Sequence, residues 1–451
     1  MDFIEKCRQF ISIETSPSRG NLEAALFVKD LAEKLDMRVD LQLENFQNLE
    51  QANIIIRPKS VGTEIPGSEF MFQNHLDTAD SGPYGFWTKT DHNPFDAHII
   101  EQKIYGLGTA DVKLDFLCKL EALTKFKDKK SFSLPPVLVG TFGEEIGMQG
   151  ALKLIRKNRV QARMALIGEP SDLQLMTEGK GFASVEISIP FTEAELKYKE
   201  EHNLRESTTT QSKIFNGKSA HSSTPHLGDS AIKKMFEYMK QLPTGVAVME
   251  VDGGINFNTV ASQAFLEMDY MTGAQFPMLD KINKIYNAII DLEQNFLQYQ
   301  DAKFTPGHPT LSIGLIRTSG THIEMAGNCR IPPTVTQKIY EGWMNQLNQL
   351  CNSIGAHFKI NDYKQPYCTD ENSIFVKGCV HELKSMNLFN SLQTQSSSNE
   401  ASLFSRVGVE CISFGAGKRE GNIHTPNENV AIEDLNNSTV FYQKIIERFC
   451  L

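Results

Sequence analysis

Four times along this chain a short apolar run breaks off into a histidine or a carboxylate. Residues 69–74 run into His75-Leu76-Asp77, residues 136–141 into Gly143-Glu144-Glu145, and residues 164–167 into Gly168-Glu169; residues 410–414 pass through Gly415-Ala416-Gly417 toward His424. Apolar runs of that length, bounded by turn residues, read as buried strands. Helical patterns over residues 114–126 and 149–158 separate the first three. Alternating strands and helices predict an α/β domain around a largely parallel sheet. In such sheets ligands bind where the strands exit, and the exits are where these residues stand.

The residue types point to a metal. His75 and Asp77 are two apart, so on an extended chain they share a face, where a neutral imidazole can bind a cation while the acid fixes its orientation. An isolated His-x-Asp pair is ordinarily a surface ion pair. Here Asp111 follows two glycines in Tyr105-Gly-Leu-Gly-Thr-Ala-Asp-Val-Lys113, just ahead of a helix whose dipole favours its ionised form. The Walker spacing of a phosphate loop is missing there. Glu144 and Glu145 are adjacent carboxylates after a buried strand, expensive unless neutralised. With Glu169 and His424, and Asp77 set aside as the orienting acid, the inventory is two imidazoles and four carboxylates. That suits a binuclear zinc site, five groups serving as ligands and one as the base for an activated water.

The remainder of the chain sets bounds. At 40% apolar and 22% charged residues the composition is that of an ordinary globular protein. The net charge of −10 gives no reason to expect a nucleic-acid or anionic-membrane partner. The start, Met-Asp-Phe-Ile-Glu-Lys, has no apolar core of signal-peptide length, and no run is long enough to span a membrane. Eight scattered cysteines without a Cys-x-x-Cys argue against a disulfide framework or a thiolate site. A cytoplasmic protein is expected. Residues 2–13 and 21–36 read as amphipathic helices. The loop 80–96 carries Tyr84, Phe86 and Trp87, as a pocket wall or, more simply, as packing.

Between residues 178 and 363 the character changes. Strand patterns at 182–189, 246–251, 259–271, 310–316, 322–330 and 357–363 mix with helical ones at 230–241, 281–299 and 336–354. A βαββαβ-like order implies a smaller α+β domain of ferredoxin-like type inserted in the first. Residues 192–212 read as a polar surface insertion or mobile loop. The expected division is 1–177 with 364–451, and 178–363.

Six segments in order carry a resemblance: Asn74-His-Leu-Asp77, Tyr105-Gly-x-Gly-x-x-Asp-x-Lys113, Gly143-Glu-Glu-x-Gly147, Gly168-Glu-Pro170, Gly217-x-x-Ala-His-Ser-Ser-x-Pro225 and His424-Thr-Pro-Asn-Glu428. The chain resembles the co-catalytic zinc deacylases and exopeptidases, among them acetylornithine deacetylase, succinyl-diaminopimelate desuccinylase, glutamate carboxypeptidase and the aminoacylases. The resemblance implies a zinc-peptidase-like catalytic domain and an inserted dimerisation or lid domain. It implies two Zn²⁺ per subunit, with Co²⁺ a possible substitute. His75 and Glu169 would complete one ion, Glu145 and His424 the other, and Asp111 would bridge. Asp77 would orient His75, and Glu144 would be the general base and acid. His221, reaching the partner subunit's site in a homodimer, would hold the oxyanion. Asn258 would assist at the oxyanion or substrate, and Arg330 would bind a substrate carboxylate, against the plainer reading of a surface ion pair.

The implied activity is hydrolysis of the amide of an N-acyl amino acid. A dipeptidase or carboxypeptidase acting on short peptides is the alternative, and a binding protein on the same fold ranks lower because no ligand or base is lost. Two departures bear on the substrate. Leu107 stands where the family has Arg, and Ser398-Asn-Glu-Ala401 where it has Gly-Thr/Ser-Asp-Ala.

Overall fold

The computed structural model describes residues 2–62, 67–202, 210–270 and 276–451. The chain divides into two compact units. One comprises residues 1–178, 367–394 and 399–451, the other residues 179–366 and 395–398.

The first unit is built on a mixed sheet. Its strands lie in the order Met37–Phe46, Leu49–Pro58, Pro136–Thr141, Glu69–His75, Ala162–Gly168, Glu410–Phe414, Met176–Gly179 and Tyr367–Cys368. The four central strands run parallel, and antiparallel partners flank them on both sides. The reason is visible in one strand. In Glu69–His75 every residue is buried, and the side chains alternate between two cores. Phe70 and Phe72 pack with Leu138, Leu166, the helix Lys113–Thr124 and the C-terminal helix Ile432–Phe449. Met71 packs the other way, with Val137, Val139, Ile167 and the helices Gln149–Lys157 and Ala401–Arg406. A sheet covered on both faces has only its strand ends free to carry polar chemistry.

Register makes those ends level. Gln73 lies opposite Val139 on one neighbour and Ile167 on the other, and His75 lies opposite Thr141. Two residues beyond the Gln73–Ile167 pair come His75, which ends its strand, and Glu169, one residue past the end of the neighbouring parallel strand.

The second unit is an antiparallel sheet of seven strands, ordered Gln211–Asn216, Gln263–Tyr270, Val246–Gly253, Thr310–Ser319, His322–Ile331, Gly181–Pro190 and His357–Lys364. Helices Ala231–Met239, Met278–Phe296 and Gln337–Ser353 share one apolar cluster with it. Part of the polar stretch 192–212 is ordered into a helix, Glu193–His202, and the first residues of an edge strand; residues 203–209 lie outside the described residues. A capping box starts that helix. Thr192 Oγ1 accepts from the Glu195 N–H at 3.3 Å, and Glu195 Oε2 accepts from the Thr192 N–H at 2.8 Å.

Candidate metal centre

Asp111 joins the two histidines. Its Oδ1 lies 3.2 Å from His75 Nε2 and its Oδ2 lies 3.2 Å from His424 Nε2. His424 Nε2 is also 2.9 Å from Glu145 Oε1. Asp111, Glu145 and His424 each present a ligand atom, all within 4.8 Å of one another. Carboxylate and imidazole donors at that spacing fit a divalent cation of the zinc type. His75, Asp111 and Glu169 are buried, whereas His424 is 48% exposed, so the cluster has a closed side and an open one.

The tautomer of His75 is fixed. Its Nδ1 lies 2.9 Å from the carbonyl oxygen of Asp77, which can only accept, so Nδ1 carries a proton and Nε2 faces Asp111 as the ligand atom. The orienting partner is therefore the Asp77 carbonyl. The Asp77 carboxylate stands 3.7 Å from Nδ1. It accepts instead from the Glu144 N–H and the Glu145 N–H, each at 3.1 Å, because the turn after Thr141 aims two free amides at it. One residue thus sets both the His75 ring and the turn bearing the paired glutamates.

Asn74 ties this strand to the Asp111 loop. Its Nδ2 donates to Val112 O at 3.2 Å and to Asp115 Oδ2 at 3.0 Å. Gly168 makes room, since a Cβ there would lie 2.0 Å from Asn74 Nδ2. Asp115 in turn accepts from Tyr442 at 2.7 Å and pairs with the buried Lys119 at 3.1 Å. The Asp111–Val112 peptide is cis.

Three residues outside the expected set hold the centre. Buried Glu428 accepts from the Ala110 N–H at 2.8 Å and the Asp111 N–H at 3.0 Å. Arg419 Nη1 donates to Glu169 Oε2 at 3.1 Å. Glu400 lies buried beneath Gln73 and Thr141. Glu428 closes the segment His424-Thr-Pro-Asn-Glu428, and its spacing of four from His424 is the sequence signal for it. Glu400 stands where the resembling family has an Asp, which is its only signal, and Arg419, a polar residue in a polar loop, has none.

The aromatic loop divides. Trp87 is buried and donates to Ser81 O at 2.8 Å, so it is packing, whereas Tyr84 and Phe86 are exposed. Asn427, three residues after His424, pins this loop through the Lys89 N–H at 2.9 Å and Phe86 O at 3.2 Å.

Charge shapes the proton affinities. Burial pushes His424 down, but Asp111 and Glu145 raise it to about 11. Burial likewise opposes a charge on His75, and Asp111, Asp77 and Glu144 reverse it. Asp111 is held well below the usual carboxylate range by the two imidazoles despite its burial. Glu144 is pushed well up by burial, with Glu145, Glu169 and Glu400 adding to the rise. Crowded acids whose proton affinities diverge are the pattern of a site that takes up a cation and keeps one carboxyl for proton transfer.

In the second unit His221, Asn258 and Arg330 come together around Ser222. The Ser222 N–H donates to Asn258 O at 2.9 Å, and Arg330 Nη2 donates to Ser222 Oγ at 3.3 Å. His221 bridges to Thr259, and its Nδ1 accepts from the Ser223 N–H at 3.1 Å. The neutral ring therefore carries its proton on Nε2. Arg330 is buried over the Phe182 ring at 4.7 Å, not a surface ion pair.

Among the described residues no helix is long and apolar enough to cross a membrane. An acetylornithine deacetylase of Buchnera aphidicola subsp. Schizaphis graminum is 33% identical over 147 residues, 33% of this chain and 37% of that protein. A probable succinyl-diaminopimelate desuccinylase of Staphylococcus aureus is 24% identical over 240 residues, 53% of this chain and 50% of that protein. These matches span half or less of the curated relatives' length. Among solved structures, an aminoacylhistidine dipeptidase of Vibrio alginolyticus shares the fold, with a TM-score of 0.66 and 14% identity over 99% of this chain and 96% of that one. The model of peptidase family M20/M25/M40 matches residues 71–448, and the chain belongs to that family.

Proposed function

We propose that this protein is a metal-dependent hydrolase that cleaves the amide bond of an N-acyl amino acid. The observation that carries the reading is Asp111, with an imidazole Nε2 at 3.2 Å from each of its two oxygens. That is the arrangement a carboxylate needs to bridge two ions, and zinc or cobalt is the proposed metal at both positions. His75 and Glu169 would hold one ion, and Glu145 and His424 the other. Bound there, the pair supplies Lewis acidity and lowers the pKa of water.

The chain's own residues do the rest. Glu144, half-buried with a raised proton affinity, accepts the proton of the attacking water and returns it to the leaving nitrogen. His221 offers Nε2–H to the oxyanion. In a homodimer this donor would be His221 of the partner subunit. Asn258 assists at the same oxygen, and the Arg330 fork takes the substrate carboxylate. The deacetylase and desuccinylase names of the curated relatives support an acyl substrate, and a cytoplasmic location is proposed with it.

The test is a hydrolysis screen of acetylated and succinylated amino acids beside dipeptides, with zinc or cobalt added. The N-acyl amino acids are expected to turn over fastest. Turnover of dipeptides alone moves the reading to a dipeptidase. A protein that binds no divalent metal and cleaves neither set ends it.

A further inference from the structure

Gln73 and Thr141 sit at the two strand ends from which the centre is built. Gln73 is two residues before His75 on the same face, and Thr141 lies level with His75, three residues before Glu144. One side chain bonds both. Glu400 Oε2 accepts from Gln73 Nε2 and, at 2.9 Å, from Thr141 Oγ1. Gln73 and Thr141 also bond each other at 3.0 Å. Glu400 is 1% exposed, and among the described residues it pairs with no cation and its Oε1 has no hydrogen-bond partner. The charged groups that act on it are His75 and Asp77 from the next strand end, and it acts in turn on Glu144.

A buried carboxylate with one bare oxygen and acids for neighbours is costly, and a carboxylic acid with its proton on that oxygen costs less, because an unpaired hydroxyl is cheaper to bury than an unpaired charge. We propose that Glu400 is a positioning residue that, as a neutral acid, spans Gln73 and Thr141 and thereby holds the His75 and Glu144 strand ends at the separation the metal centre requires. Burial raises this carboxyl to about 7, which favours the neutral form below that pH. The length of the side chain matters as much as its charge state. Aspartate is one methylene short of reaching both partners, whereas glutamine matches the neutral acid, with one oxygen to accept and an amide at the bare position. The proposal rests on the reading of this cluster as a metal centre.

The test titrates cobalt(II) into the metal-stripped full chain, followed by visible absorption, with thermal melting as the check on folding. E400Q is expected to match the wild type within about threefold at both binding steps. E400D and E400A are expected to weaken one of the two steps at least tenfold while still melting cooperatively. On whichever amide the wild type cleaves, they should lose kcat and keep KM. Titrations of E400D and E400A that overlay the wild type overturn the proposal, as does an E400Q damaged as badly as E400A. If E400A does not fold, E400D decides. A wild type that binds cobalt and cleaves no amide sinks the hydrolase reading alone, and one that takes up no cobalt sinks both.

Discussion

The two polar clusters of this molecule are opposites. In the first unit, Asp77, Asp111, Glu144, Glu145 and Glu169 gather around two histidines at level strand ends. In the second, His221, Asn258 and Arg330 gather around Ser222 on an antiparallel sheet, a group rich in donors. Each is costly alone. The first has more negative charge than its imidazoles neutralise, and the second buries a guanidinium against an aromatic ring. The two clusters differ in the charge they present: acid-rich around two imidazoles in one case, donor-rich around a hydroxyl in the other.

The largest effect is expected at Glu144. Glu144→Ala should retain its metal, measured by atomic absorption, and lose activity ~10⁴-fold, the upper end for a general base. Retained turnover would show that the acid-rich cluster needs no separate base. His221→Ala comes next, with kcat expected to fall ~10²–10³-fold and metal content unchanged, as for removal of one oxyanion donor. An unchanged kcat would detach the donor-rich cluster from the reaction. Arg330→Lys keeps the charge but loses the planar fork, so KM should rise roughly tenfold with kcat nearly constant.

The smallest effect is on stability. With the Glu400 carboxyl raised from 4.5 to about 7, the folded state holds a proton that the unfolded chain releases between those values. Its contribution is therefore whole below about pH 4.5 and fades as the pH climbs to 7, by roughly 3 kcal/mol at 1.36 kcal/mol per unit. The difference in urea-unfolding stability between wild type and E400Q, followed across that window without metal, should trace this slope. A flat difference would mean the carboxyl is ionised throughout.

What the bare sequence disclosed follows one physical rule. Strands buried on both faces announce themselves as apolar runs, so His75, Glu144, Glu145 and Glu169 could be placed at strand exits before any coordinates. The capping box Thr192-x-x-Glu195 was present too, yet the helix it starts was read as a loop because its remaining residues are mostly charged. Glu400 could be matched to a family Asp, but its burial could not be read, for a different reason. It follows a serine run that looks solvated, and its burial depends on Gln73 and Thr141, hundreds of positions away. Asp77 shows the intermediate case. Its place beside His75 could be read, but which of its oxygens faces the ring depends on two amides from another strand's turn.

The Glu428 clasp on the Ala110 and Asp111 amides has a consequence for synthesis on the ribosome. A nascent chain that has already made His75, Asp111, Glu145 and Glu169 still lacks both His424 and the carboxylate that closes the Asp111 loop. Until those residues emerge, the acids of the cluster lack the contacts that hold the Asp111 loop in place.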